Sequence, residues 1–278
     1  MRSRSEKTQP GNPHALTLRQ HVFPAKSIQR FCERGGVDLI DLARGRRRRA
    51  RSGDSIFCAD RAWGHYAEAG WMKKIEDLFQ ALAEAIILDP PAKFTVEQVE
   101  AINEYFGLWR ARAEQRHLPM QRVRPRGSPG TTRELSADTL ELFEKNGIMA
   151  IAPDGTYPLR EFNGHSILLA ITQLSEQLEG RRWGIIRPLE GEFCVPDVPM
   201  HGVIPISPKL ALALDADSGF ITRDDLARIN SLMRQSAREY VFGRALKACP
   251  GAMRAPLFNC VDGQPKSEPG STEFGTLI

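Results

Sequence analysis

The sequence predicts an α+β protein: apolar residues recur at helical spacing in long segments, short apolar runs cluster elsewhere, and proline and glycine punctuate the joints. A chain of 278 residues, 41% of them hydrophobic, can bury a substantial core in one large domain or two small ones. The expected architecture is an N-terminal β-hairpin region, a central helical pair and a small antiparallel sheet with flanking helices. One domain is expected over 14–249, between a polar, disordered N-terminus at 1–13 and a Pro-, Gly- and Ser-rich disordered tail at 250–278.

Taken in order, Val37, Leu39 and Leu42 suggest an extended segment, and Ser55–Cys58 a returning one, with Gly45 and Gly53 bracketing the arginines between them. Val37–Cys58 therefore reads as a β-hairpin with a basic tip. Ile75, Leu78, Phe79, Leu82 and Ile86 form a helical stripe that Pro90 and Pro91 stop. Thr95 and Gln98 make a capping box, Phe94 and Val99 a hydrophobic staple, and Ile102, Phe106 and Trp109 continue the stripe, so two antiparallel helices are expected.

Residues 118–134, rich in Pro, Gly and Arg, read as a flexible basic loop. A short helix capped by Ser136 and ended at Asn146–Gly147 follows, then a small strand at Ile148–Ile151. Ile167, Ile171, Leu174 and Leu178 mark another helix. Four short runs at 183–186, 192–195, 202–206 and 210–214 suit an antiparallel meander. A second capping box, Thr222 and Asp225, opens a helix whose pattern runs through Met233 to Tyr240 and Val241.

Charge is unevenly spread. Residues 1–51 hold 13 Lys or Arg against 4 Asp or Glu, while the remainder is mildly acidic. Every apolar stretch is broken before the roughly 18 residues that a spanning helix needs, and the N-terminus has no signal-like apolar core, so a cytoplasmic protein without a membrane partner is expected. Five cysteines without a Cys-x-x-Cys pair read as ordinary reduced thiols. No phosphate loop, dinucleotide fingerprint or internal repeat is present, and no cofactor is evident.

A series of short elements, His21–Pro24 (HVFP), Ile28–Phe31 (IQRF), His65–Tyr66, Ile75–Glu76, Val195–Pro199 (VPDVP) and Pro205–Pro208 (PISP), occurs in the order seen in a bacterial family. Over about residues 14–245 the chain resembles that family, catalogued as domain of unknown function 4238. Ala25 stands where the family usually has Gln, and Pro196 where it has Ser. The resemblance implies no activity, but its genomic company implies a mobile-element or defence setting.

The run Arg46–Arg49, with Arg44 and Arg51 beside it, is the strongest local signal: on strand geometry it offers a basic knob for several phosphates without reading bases. Arg122, Arg124 and Arg126 in the basic loop are candidates to extend it. The leading expectation is sequence-independent nucleic-acid binding by an accessory or effector protein. A solvated hairpin tip and an acidic protein partner are the alternatives.

His21, Glu76 and Asp197, the polar members of the family-like elements, are the candidates for a metal-assisted hydrolase or nuclease. A His with two carboxylates can share general acid-base work or a divalent cation, the one metal such a reading requires. Gly53–Ser55 (GDS) lacks the preceding apolar strand that a serine-hydrolase block has. Trp63, Trp71, Trp109 and Trp183 are candidate base-stacking residues, with Trp109 on a core stripe.

Overall fold

A computed structural model describes residues 7–118, 121–127, 129–131, 134–199 and 201–253. It has the mixed α+β character expected, with several small sheets and helices packed against them. The chain opens with turns at 7–13, where Gln9 donates from its backbone (2.5 Å) and side chain (3.2 Å) to Glu141. The part of the expected disordered N-terminus that is described is therefore docked on a later helix. The rest of that terminus, and the expected tail beyond 253, lie outside the described residues.

β1 (Arg19–His21) leads into α1 (Ala25–Gln29), and β2 (Val37–Asp41) turns back through β3 (Arg46–Ala50). The hairpin expected over Val37–Cys58 is shorter: β2 pairs β3 from Val37↔Ala50 to Asp41↔Arg46, while β4 (Cys58–Asp60) pairs antiparallel with β1 in a separate ribbon. The arginines thus form a strand rather than a tip. Leu39 and Ala50 supply the buried contacts that fix this register, since a one-residue slip would turn the apolar positions to solvent.

α2 (His65–Ala67) passes through a π-helical turn at Glu68–Met72, with Gly70 off helical geometry, into α3 (Lys73–Leu88). Ile75, Phe79, Leu82 and Ile86 are buried, whereas Leu78 falls on the flank and is exposed. α4 (Val96–Gln115) begins with the Thr95–Gln98 capping box and packs against α3. β5 (Arg122–Val123) pairs antiparallel with β6 (Tyr157–Pro158), which structures part of the expected flexible loop.

α5 (Ala137–Lys145) has the predicted Ser136 cap, but Ile148–Ile151 is not a strand. α6 (Leu159–Gln177) lies along α4 so closely that a Cβ on Gly107 would stand 3.2 Å from the Ile171 backbone, so any side chain there would require the two helices to shift slightly apart.

β7 (Trp183–Pro188), β8 (Val195–Pro196), β9 (Val203–Ser207), β10 (Leu210–Leu214) and β11 (Gly219–Ile221) do not make one meander. One sheet has the order β11-β7-β10-β9, with β11 parallel to β7. The other is built from distant segments. After α7 (Arg223–Ser236), Tyr240 and Val241 belong not to the helix but to β12 (Tyr240–Gly243), which inserts between β2 and β8 to give β3-β2-β12-β8. The strand alternates faces: Tyr240 and Phe242 join the core beneath α3, α4 and α6, and Val241 joins a second core with Leu226 and Met233 of α7.

Candidate nucleic-acid interface

β3 is an edge strand, so one side of its backbone has no strand partner among the described residues. Arg46, Arg47 and Arg49 are exposed and Arg48 is half-buried. Alternation sends Arg46 and Arg48 to one face and Arg47 and Arg49 to the other. Charged side chains on an exposed edge also discourage pairing with a second sheet.

Three of the six arginines of the expected basic knob are engaged by carboxylates. Arg44 donates from its backbone N–H (3.1 Å) and Nη1 (2.8 Å) to Asp41. Arg47 grips Asp38 bidentately, with Nε 2.6 Å from Oδ1. Arg48 holds Asp54 through Nη1 (2.7 Å) and Nη2 (3.1 Å). The Arg48 bond holds the Asp54 carboxyl below its usual value. Burial works against ionising Asp38 and Asp41, but bonds from Arg47 and Arg44 respectively, with backbone N–H groups, outweigh it and lower both pKa values.

Arg49 instead donates to the Glu33 and Gly36 carbonyls, the latter at 2.5 Å, rather than to a carboxylate. Arg46 and Arg51 are exposed without a carboxylate at ion-pair distance among the described residues. So is Arg34, in the turn that Arg49 clasps, a residue the sequence reading missed.

Elsewhere the positive charge of the N-terminal third is dispersed. Lys26 pairs with Glu84 at 2.6 Å, and Arg30 lies between Gln80 and the Ile206 carbonyl. Arg122 is held on the β5–β6 ribbon by Thr156, and Arg122 and Arg124 act on Asp154. Arg126 is exposed.

The trio His21, Glu76 and Asp197 is not gathered on one point. His21 Nε2 lies 3.0 Å from the Ser52 carbonyl, Glu76 pairs with Arg112, and buried Asp197 accepts the backbone N–H groups of Arg238 and Glu239, each at 2.9 Å. Burial raises the Asp197 pKa against the pull of those two donors. No hydrogen bond or ion pair joins any two of the trio. Among the described residues, no group of three His, Cys, Asp or Glu is placed to hold a metal ion.

What relates Glu76 to Asp197 is one face of α4. Arg112, completely enclosed, donates to Glu76 and to Glu68 (2.8 Å) and sits 5.4 Å from the centre of the Trp63 ring, whose Nε1 also donates to Glu68 (2.6 Å). Burial opposes the Arg112 cation, but the two carboxylates outweigh it and raise its pKa.

One turn on, Arg116 donates to the Ile56 carbonyl (2.6 Å), pairs with Glu239 (2.6 Å) and acts electrostatically on Asp197. Sequence reasoning missed both arginines. Their signal was a four-residue spacing beside a core tryptophan, which places them on the buried side.

A second buried cluster, Arg61 and Arg160 on Glu144, floors a cavity of about 300 Å³. Trp63, Trp109 and Trp183 are buried, and Trp71 is partly buried against the core, so none of the first three presents a stacking face.

These features define an α+β protein with one cationic sheet edge and an interior organised by buried arginine–carboxylate pairs. No helix among the described residues is long and apolar enough to cross a membrane. No family model, curated protein or solved structure matches the chain.

Proposed function

We propose that the protein engages nucleic acid through its phosphate backbone, without reading sequence, along the outer edge of β3. The observation that carries this is the set Arg46, Arg49 and Arg51, with Arg34 nearby: four guanidinium groups on the two faces of an edge strand or beside it. None is within ion-pair distance of a carboxylate among the described residues, though Arg46 and Arg49 act electrostatically on Asp41 and Asp38 respectively. Ion pairing of Arg44, Arg47 and Arg48 makes the surface weaker than six free cations. An accessory or effector role in a mobile-element or defence setting, the expectation drawn from the sequence, is part of this proposal.

The test is anisotropy of a labelled duplex across salt concentrations. Four phosphate contacts give a slope of log K against log salt of about −3.6, whereas all six hairpin arginines would give about −5.4. Arg46→Ser with Arg51→Ser should flatten the slope by about two. Unchanged binding in that variant ends the reading, and equal competition by polyglutamate at matched charge transfers it to an acidic protein partner.

A further inference from the structure

We infer that the preferred ligand of this edge is a double strand rather than a single strand, contacted without entry into a groove. The inference rests on the proposed backbone binding and names its partner more narrowly. A major groove about 12 Å wide admits a two-stranded ribbon but not a wider sheet laid flat into it. Here β2 is hydrogen-bonded on both sides, to β3 and to β12, so the hairpin is welded to a four-stranded sheet and offers only the outer edge of β3. Base edges at the floor of a groove stay beyond its reach, which limits contact to phosphates.

The edge also lacks what a single strand needs. Residues 37–51 (VDLIDLARGRRRRAR) contain no Phe, Tyr, Trp or His. The aromatic side chains exposed among the described residues, Tyr66, Phe162 and Phe220, lie on α2, α6 and β11 rather than on this hairpin. Single-strand binders draw about 1–3 kcal/mol per base from aromatic stacking, and this surface has no platform to supply it. Charge density is what remains. From Arg46 to Arg51, just past the end of β3, the extended chain runs about 17 Å at roughly 3.3 Å per residue. Over that axial length a duplex carries about ten phosphates on its two strands, part of them facing one edge, and a single strand at most about five.

The experiment compares a mixed-sequence duplex of about 20 base pairs with its isolated single strand, at about 50 mM salt, using the wild type and the Arg46→Ser, Arg51→Ser variant. Thermal melting checks that the variant is folded. The duplex is expected to bind about threefold or more tightly, A·T-only and G·C-only duplexes to agree within about twofold, and the variant to lose the duplex preference. Equal or tighter binding of the single strand overturns this inference while leaving backbone binding standing, and a large A·T versus G·C difference overturns the groove-free contact. Absence of binding to either form removes the proposed function itself.

Discussion

The hairpin and α4 use the same side chain in opposite ways. On the hairpin, Arg44, Arg47 and Arg48 meet carboxylates three to nine residues away, with guanidinium groups open to solvent even where the carboxylate, Asp38 or Asp41, is buried. On α4, Arg112 reaches carboxylates 36 and 44 residues away from inside the core, and Arg116 reaches the residue just before β12. Of the hairpin pairs only Arg48–Asp54 has both members partly open to water, which screens it. Arg44 and Arg47 reach out from solvent to the buried carboxylates of Asp41 and Asp38 and are held there. A buried distant pair has lost its water, so removing one member strands the other. The difference separates buried arginines tied to distant carboxylates from those held by local pairs. It leaves Arg34, Arg46, Arg49 and Arg51, which have no carboxylate at ion-pair distance among the described residues, as the ones open to a ligand.

The comparison breaks most readily at Arg112. Arg112→Ala should destabilise the fold by about 3–5 kcal/mol in urea unfolding. Adding Glu68→Gln and Glu76→Gln should recover a large part of the loss, whereas no recovery would show that the guanidinium acts through packing instead. Next comes Asp197→Ala, which leaves the Arg238 and Glu239 N–H groups without their acceptor and should cost about 2–3 kcal/mol in the same assay.

A smaller effect is expected at Arg48–Asp54. Asp54→Asn keeps the cap on the Ser55–Phe57 turn but loses the charge, for about 0.5–1 kcal/mol at neutral pH. Because Asp38, Asp41 and Asp54 have pKa values lowered by folding, the unfolded chain binds more protons in acid. Their stabilisation is complete above the ordinary carboxylate pKa of about 4 and is lost as pH falls through the depressed values. Asp54→Asn should therefore shallow the acid side of a stability–pH curve, and an unchanged curve would mean the pair is fully screened. Smallest is Arg46→Ser with Arg51→Ser, expected within about 0.5 kcal/mol of wild type in thermal melting. A larger loss would place these two with the structural arginines.

Elements set by local chemistry were legible. The capping boxes at Thr95 and Thr222 and the Ser136 cap depend on residues three apart, and all three are present. Elements set by distant partners were not. Tyr240 and Val241 continue a helical spacing from Met233, yet the gap between β2 and β8 takes them as a strand. The arginine run was visible as charge, but nothing in its spacing told that Asp38, Asp41 and Asp54 would meet three of its members.

By itself the sequence determined the α+β class, where α4, α5 and α7 begin, and the cationic character of residues 44–51, because propensity, capping and composition act over a few residues. Tertiary structure alone decided that the arginines would line a sheet edge, that Arg112 would be enclosed between two glutamates, and that Asp197 would bind backbone rather than join His21 and Glu76. Those outcomes depend on which distant segments share the core, and burial and pairing exist only once the chain has packed.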